Sequence, residues 1–378
     1  MKKISTKNRL KVFVGVSGGV DSSVSAALLK EQGFGVVGVF IKAWYPDWFS
    51  CTWREDRRDA MRVCAKLSIP FITFDFEKEY KKEVIDYMVA EYKKGRTPNP
   101  DVMCNRMIKF GAFLKKAKKM GADFVATGHY ARIRREDGFF QDGHKGESLH
   151  KLSFKSILRL LESKDKNKDQ TYFLWTLTQK KLKNIIFPIG GLEKPEVRKL
   201  AKKFGLITAD KKDSQGLCFV GKVSVSGFLK RYIKEKKGKV LDESGNIVGT
   251  HSGVTFLTIG QRHGFEITEK NTERKPYYVV RKDIKKNIIV VSNKKKEKES
   301  FQKEILISQV SWVNSEPDFT KAYSARIRYR QPLEKCQLKK AGKGQINVIF
   351  KKPQRAVSPG QSLVIYSKGA CLGGGIIA

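Results

Sequence analysis

The residues best suited to chemistry lie in Gly15-Val16-Ser17-Gly18-Gly19-Val20-Asp21-Ser22-Ser23. Glycines let a backbone approach a ligand closely, and the first N–H groups of a helix attract anions. Ser17, Ser22 and Ser23 add hydroxyl donors. No Lys-Ser or Lys-Thr follows the glycines, so this is not a Walker loop. Glycine content alone fits a bare tight turn equally well. A second chemical stretch is Gly95-Arg96-Thr97-Pro98-Asn99-Pro100-Asp101-Val102-Met103-Cys104-Asn105. Its two prolines predict an extended turn rather than a helix, which puts Cys104 on a rigid polar loop. A nucleophilic thiol needs a lowered pKa, and Arg106 and Lys109 are the cations to supply it. A buried structural cysteine is the alternative. The third stretch is Ala126-Thr127-Gly128-His129-Tyr130-Ala131-Arg132, where His129 either touches phosphate or hydrogen-bonds its own loop.

These residues need elements to hold them. Val12–Val16 reads as a buried strand, and Val20, Val24, Ala27 and Leu28 have helical spacing before a stop at Gly33. Further strands are expected at 36–41, 71–76 and 123–127. Helices are expected at 56–67, 80–91 and 110–117, with Cys64 on a core face. Strands alternating with helices predict a doubly wound parallel sheet, whose ligands sit beyond the carboxyl ends of the strands. Ser17, Ile41 and Gly128 all fall at such ends and so can share one pocket. After Cys218 come short strands and a helix at 225–233, then the charge block Lys294–Glu299, which reads as a linker. Short alternating strands from Ile305 onward predict a small β-barrel. Arg326, Arg328, Tyr329 and Arg330 crowd one of its strands. That is either a stacking and phosphate-binding surface or a solvated strand face.

The chain has 378 residues, enough for two or three domains, with 76 Lys+Arg against 38 Asp+Glu and a net charge of +38. Such a field draws polyanions, nucleic acid first and anionic membrane second. A general lysine bias is the competing explanation, because the lysines are spread along the whole chain. No run approaches the roughly 20 apolar residues of a membrane helix, and the basic start is not followed by a leader-like segment. The six cysteines include no C-x-x-C pair, which argues against a zinc site or a disulfide framework and for a cytosolic protein.

The string Ser17–Ser23 resembles the PP-loop of ATP pyrophosphatases, which cleave ATP to AMP and pyrophosphate while adenylating a carbonyl oxygen. Gly15–Ser23, Gly95–Asn105 with Ile108-Lys109-Phe110, and Ala126–Arg132 together resemble the tRNA-specific 2-thiouridylase family. The match continues through Lys168-Asp169-Gln170-Thr171-Tyr172-Phe173-Leu174, Asp213-Ser214-Gln215-Gly216-Leu217-Cys218-Phe219, Gly249-Thr250-His251 and Thr258–Gly264. It ends with Arg328-Tyr329-Arg330-Gln331, Pro359-Gly360-Gln361 and Leu372–Gly375, and so spans the chain. The departures are a polar insertion at 136–155, Ser163 in place of a usual glycine, and Gln215 in place of a small residue.

The resemblance implies a PP-loop catalytic domain at 1–217 with a tRNA-contacting insertion, a central domain at 218–299 and a C-terminal β-barrel at 300–378. It implies 2-thiolation of the tRNA wobble uridine through adenylation of its 2-carbonyl oxygen. ATP, with Mg²⁺, would be held by Gly15, Val16, Ser17, Gly18, Gly19, Val20, Asp21, Ser22, Ile41 and Gly128. Cys218 would carry a persulfide, Cys104 would be the nucleophile that completes the exchange, and Asp101 the acid/base group. The target base and tRNA would meet Asn99, Pro100, Asp101, His129, Lys168, Asp169, Gln170, Arg328, Tyr329 and Gln361. The implied partners are tRNA and a sulfur-donor protein, such as a cysteine desulfurase or a relay protein, with no resident metal and no membrane. The Cys218 loop is expected to move during the cycle. Two other readings stay open: a PP-loop ligase such as a lysidine synthetase, which needs no cysteine pair, and an RNA-binding protein with a degenerate nucleotide pocket.

Overall fold

The computed structural model describes residues 9–48, 53–136, 157–212, 224–268, 276–293 and 301–378. Cys51, Cys218 with the stretch 213–219, the polar insertion beyond Glu136 and the block 294–299 lie outside the described residues. The first domain is built on β1 (Lys11–Gly15), α1 (Val20–Glu31), β2 (Gly35–Lys42), α2 (Trp53–Lys66) and β3 (Phe71–Asp75). Helix α3 (residues 77–93) and helix α4 (residues 100–119) precede β4 (Phe124–Thr127). An antiparallel pair, β5 (Ala131–Arg135) and β6 (Leu158–Glu162), then leads to β7 (Ile185–Ile186) and helix α5 (Lys194–Lys203).

Strands β3-β2-β1-β4-β7 form one sheet in that order, with every pair parallel. Such strands are covered on both faces and therefore read as unbroken apolar runs. Phe13 of β1 points into one core with Phe74, Phe110, Phe113 and Trp175. Its neighbours Val12 and Val14 point into the opposite core with Leu29, Val63 and Val197. The chain adds β2 and β3 on one side of β1 and β4 on the other. The winding reverses between β1 and β4, which opens a crevice at their carboxyl ends. The doubly wound sheet expected from the sequence is thus present.

A central sheet joins β8 (Gly238–Leu241), β9 (Ile247–His251), β10 (Phe265–Ile267), β11 (Tyr278–Asp283) and β12 (Ile288–Ser292), in the order β10-β9-β8-β12-β11. The C-terminal strands are β13 (Phe301–Trp312), β14 (Ala322–Arg326), β15 (Glu334–Gly342), β16 (Gln345–Arg355), β17 (Ser362–Ser367) and β18 (Ala370–Ile377). Strand β13 pairs with both β16 and β18 and closes these six into the expected barrel. Strand β6 also pairs with β18, so two strands of the first domain extend the barrel's sheet.

Two local expectations are corrected. The stretch 100–105 is helical, not an extended turn. Pro100 occupies the first helical position, where its missing N–H costs nothing, and Asn99 Oδ1 accepts the Val102 N–H at 3.3 Å. Arg326 does not face solvent with its neighbours. It ends β14 buried, ion-paired with Glu162, and its guanidinium lies 4.7 Å from the Tyr366 ring. Arg328, Tyr329 and Arg330 lie on the turn beyond the strand.

That ion pair joins the first domain to the barrel, and its side chains are only 8% and 11% exposed. Removing one partner of a buried pair leaves the other charge uncompensated. Arg326→Met is therefore expected to cost about 3–5 kcal/mol. The double change Glu162→Leu with Arg326→Met should recover most of it. Thermal and denaturant unfolding of the three proteins checks this; a double variant no better than the single one would count against it.

Candidate active site

The glycine loop leaves β1 at Gly15 and becomes α1 at Val20. Its serines shape it from within. The Ser17 N–H donates to Ser22 Oγ at 3.1 Å, and the Ser22 and Ser23 hydroxyls donate to the Gly19 carbonyl at 3.1 and 2.8 Å. Gly128, just past β4, presses on this turn: a Cβ there would lie 2.7 Å from the Ser22 nitrogen. The turn and the end of β4 therefore meet backbone to backbone, which only a residue without a side chain at 128 allows, and the start of α1 beside them is a place that favours an anion. Ile41 is half-buried at the carboxyl end of β2. Asp21 in the first turn of α1 is held by Lys194 Nζ at 2.7 and 2.9 Å and by the Tyr130 hydroxyl at 2.8 Å. Sequence reasoning missed both partners. Lys194 lies 173 positions away, and only its place at the start of a helix, before Pro195, marked it.

Helix α4 carries the second group. Asp101 is half-buried, and Cys104 follows one turn later, 7% exposed in the apolar core. The helix widens over Cys104–Phe113 and kinks at Phe110, which packs its ring 5.7 Å from that of His129. Burial pushes the Asp101 carboxyl up from its usual range, and the Lys109 charge opposes that push. His129 is buried, with Nδ1 2.7 Å from Thr127 Oγ1. Burial first, and the Lys109 charge second, hold its imidazole well below the usual value, so it is neutral at pH 7. The bond within its own loop, one of its two readings, is present. Lys109 thus acts on both Asp101 and His129, the residue that follows Gly128.

The remaining thiols divide clearly. Burial raises Cys64 to about 11 and Cys336 to about 12, and Cys371 higher still, so these three stay protonated and inert at neutral pH. Cys218 lies outside the described residues.

The residues expected to meet RNA form a tight joint. Asp169 is buried and accepts the Ser163 N–H at 3.0 Å and the Thr171 hydroxyl at 2.7 Å. Gln170 bonds Tyr130 twice, accepting its N–H at 2.9 Å and donating to its carbonyl at 2.8 Å. Lys168 is half-buried beside them. Tyr329 packs its ring 4.6 Å from Phe173, and Arg330 donates to the Asn167 carbonyl at 3.2 Å. Exposed Arg328 bonds the Ala356 and Ile259 carbonyls. Gln361 donates to the Thr97 carbonyl at 2.9 Å, next to Pro98, Asn99 and Pro100.

A doubly wound sheet with this loop at its switch point, followed by two β domains, defines a PP-loop type of nucleotide-binding enzyme. Family models agree in order along the chain: a tRNA methyl transferase HUP domain over residues 10–222, a tRNA methyl transferase PRC-barrel domain over 226–293, and an aminomethyltransferase beta-barrel domain over 302–377. A tRNA-specific 2-thiouridylase of Streptococcus mutans is 44% identical over 378 residues, covering 99% of this chain and 96% of the relative. One of Staphylococcus epidermidis is 44% identical over 373 residues, covering 97% and 95%. The chain belongs to the tRNA-specific 2-thiouridylase family.

The raised Asp101 carboxyl has a measurable consequence. A carboxyl with a raised folded-state pKa binds its proton more tightly when folded, so its stabilising effect is complete below the unfolded value and lost as pH rises through the folded one. Asp101→Asn removes that loss. The variant's melting temperature should gain on the wild type's as pH is raised from below 4 to neutrality, while thiolation falls. A gap that is flat or narrows with pH would contradict the burial argument.

Proposed function

We propose that the chain uses ATP to convert the wobble uridine of tRNA to 2-thiouridine, releasing AMP and pyrophosphate. The observation that carries this reading is the glycine turn at the switch point of the sheet, abutted by Gly128, with helix α4, which bears Asp101 and Cys104, packed through Phe110 against the neighbouring His129. The relatives' names supply the substrate, and the +38 charge suits it.

The uracil 2-carbonyl oxygen is a poor leaving group. Attack of this oxygen on the ATP α-phosphate forms a C2–O–AMP ester and expels pyrophosphate, which the loop from Gly15 to Ser22 receives. Mg²⁺ bound with ATP would supply further charge compensation. Lys109 and the neutral His129 line the approach of the base, and Asp101 exchanges a proton with it. A donor protein leaves a persulfide on Cys218. The Cys104 thiolate attacks the inner sulfur of Cys218, forming the Cys104–Cys218 disulfide and releasing hydrosulfide. Hydrosulfide adds at C2 and AMP departs. Two electrons from a reductant restore both thiols. Direct bonding needs the two Cα atoms within about 4.4–6.8 Å, so the segment bearing Cys218 must reach the start of α4 in each cycle. The uridine must leave its stack, at a cost of a few kcal/mol that a single-stranded loop reduces.

Pyrophosphate release and sulfur transfer are separable in this scheme. Cys104→Ala and Cys218→Ala should each keep tRNA-dependent pyrophosphate release within about twofold of wild type yet yield no 2-thiouridine. Wild-type protein after one turnover without reductant should contain the Cys104–Cys218 disulfide, visible by peptide mass analysis. Normal 2-thiouridine formation by both variants would remove the two-cysteine scheme and favour a PP-loop ligase.

A further inference from the structure

The tether on Asp21 is more elaborate than the fold requires. A carboxylate in the first turn of a helix normally folds toward the helix's own free N–H groups, where the dipole favours it. In α1 those are the N–H groups that the proposed ATP site offers to phosphate. An unrestrained Asp21 would compete for them and would repel a triphosphate. The structure prevents both. Lys194 Nζ grips both carboxylate oxygens, and the Tyr130 hydroxyl adds a third bond. Lys194 is 9% exposed, so its charge is committed to the crevice rather than to solvent.

Both tethers are themselves fixed by one turn, residues 165–170. The Lys194 N–H donates to Asp165 Oδ2 at 3.1 Å, while Asp165 Oδ1 accepts the N–H groups of Asn167 and Lys168 at 3.0 and 3.1 Å. Gln170 holds both polar groups of the Tyr130 backbone. The Lys194 ammonium also lies 5.9 Å from the Tyr130 ring centre, so the two tethers touch each other. Two side chains far apart in sequence thus meet on one carboxylate, and a third segment holds both.

We infer that Lys194 and Tyr130 are positioning residues for the ATP loop: they neutralise Asp21 and hold it off the helix start, leaving those N–H groups to the phosphates of ATP. This rests on the ATP reading above and adds two residues to it. Their action passes through Asp21, so they favour nucleotide binding without touching RNA.

The test is a mutant cycle on tRNA-dependent pyrophosphate release. Lys194→Met should raise the KM for ATP by about tenfold or more, as loss of a charge-assisted pair implies. Lys194→Arg should recover part of that, and the tRNA dissociation constant should stay unchanged in both. In an Asp21→Asn background, where no carboxylate charge remains to be cancelled, Lys194→Met should change the KM by less than about twofold. Tyr130→Phe, which removes only one hydroxyl, should raise the KM in the same direction and carries the test should Lys194→Met fail to fold. An equal Lys194→Met effect in both backgrounds, or an unchanged KM in folded Lys194→Met or Tyr130→Phe protein, overturns the inference alone. A wild-type protein that releases no pyrophosphate with tRNA overturns the ATP reading and this inference with it.

Discussion

The structure depends on how residues 95–99 are held, because they fix where α4 begins. The barrel supplies most of the grip. The Thr97 N–H donates to the Pro359 carbonyl at 2.8 Å, Gln361 donates back to the Thr97 carbonyl at 2.9 Å, and Arg96 reaches the Ile377 carbonyl at 3.1 Å. The central domain adds Lys282, which donates to the Gly95 carbonyl at 3.1 Å, and Thr258, whose hydroxyl lies 3.1 Å from that of Thr97. Gly360 has φ +92°, and a Cβ there would lie about 3 Å from the Thr97 backbone. Each such bond contributes only about 0.5–1.5 kcal/mol net, but together they leave a proline-flanked segment one position. Asp101 and Cys104 follow within two turns. Misplacing a reacting group by 1 Å costs on the order of a hundredfold in rate, so in the proposed mechanism this clamp is where the β domains meet the chemistry.

A division of labour follows. The nucleotide loop is built within the first domain, from β1, α1, β4 and the start of α5. The helix bearing Asp101 and Cys104 is placed by all three domains. Tyr172 joins the two halves: its hydroxyl lies 2.8 Å from the Ser362 carbonyl of the barrel and also meets the Asn99 side chain. Asn105, one residue past Cys104, donates to the Phe173 carbonyl at 3.1 Å. The chain between β6 and β7 therefore serves helix α4, the barrel and the Asp21 tether together.

Much of this was legible in the sequence. The apolar runs at Val12, Val36, Phe71 and Phe124 determined the sheet, because strands covered on both faces allow few polar positions. The glycine-serine string located the crevice. Other features resisted reading for physical reasons. Pro98 and Pro100 suggested a turn, yet a proline at the first helical position starts a helix when an Asn precedes it. Arg326 looked like its neighbours Arg328 and Arg330, since a strand end has no sequence mark that tells a buried arginine from an exposed one. Its partner Glu162 is 164 positions distant. Lys194 and Tyr130 were hidden likewise, for a tether assembled from three distant segments has no local pattern.

The clamp is tested most directly by hydrogen exchange of residues 95–105 in Gly360→Val protein, read beside its rate of 2-thiouridine formation at saturating ATP. A valine at that left-handed position must push against the Thr97 backbone. The account predicts faster exchange confined to 95–105 and the adjoining turn, unchanged exchange in β1 and α1, and a fall in thiolation with the KM for ATP preserved. Loss of protection at 95–105 with thiolation at the wild-type rate would contradict it, because the chemistry would then not depend on where α4 begins.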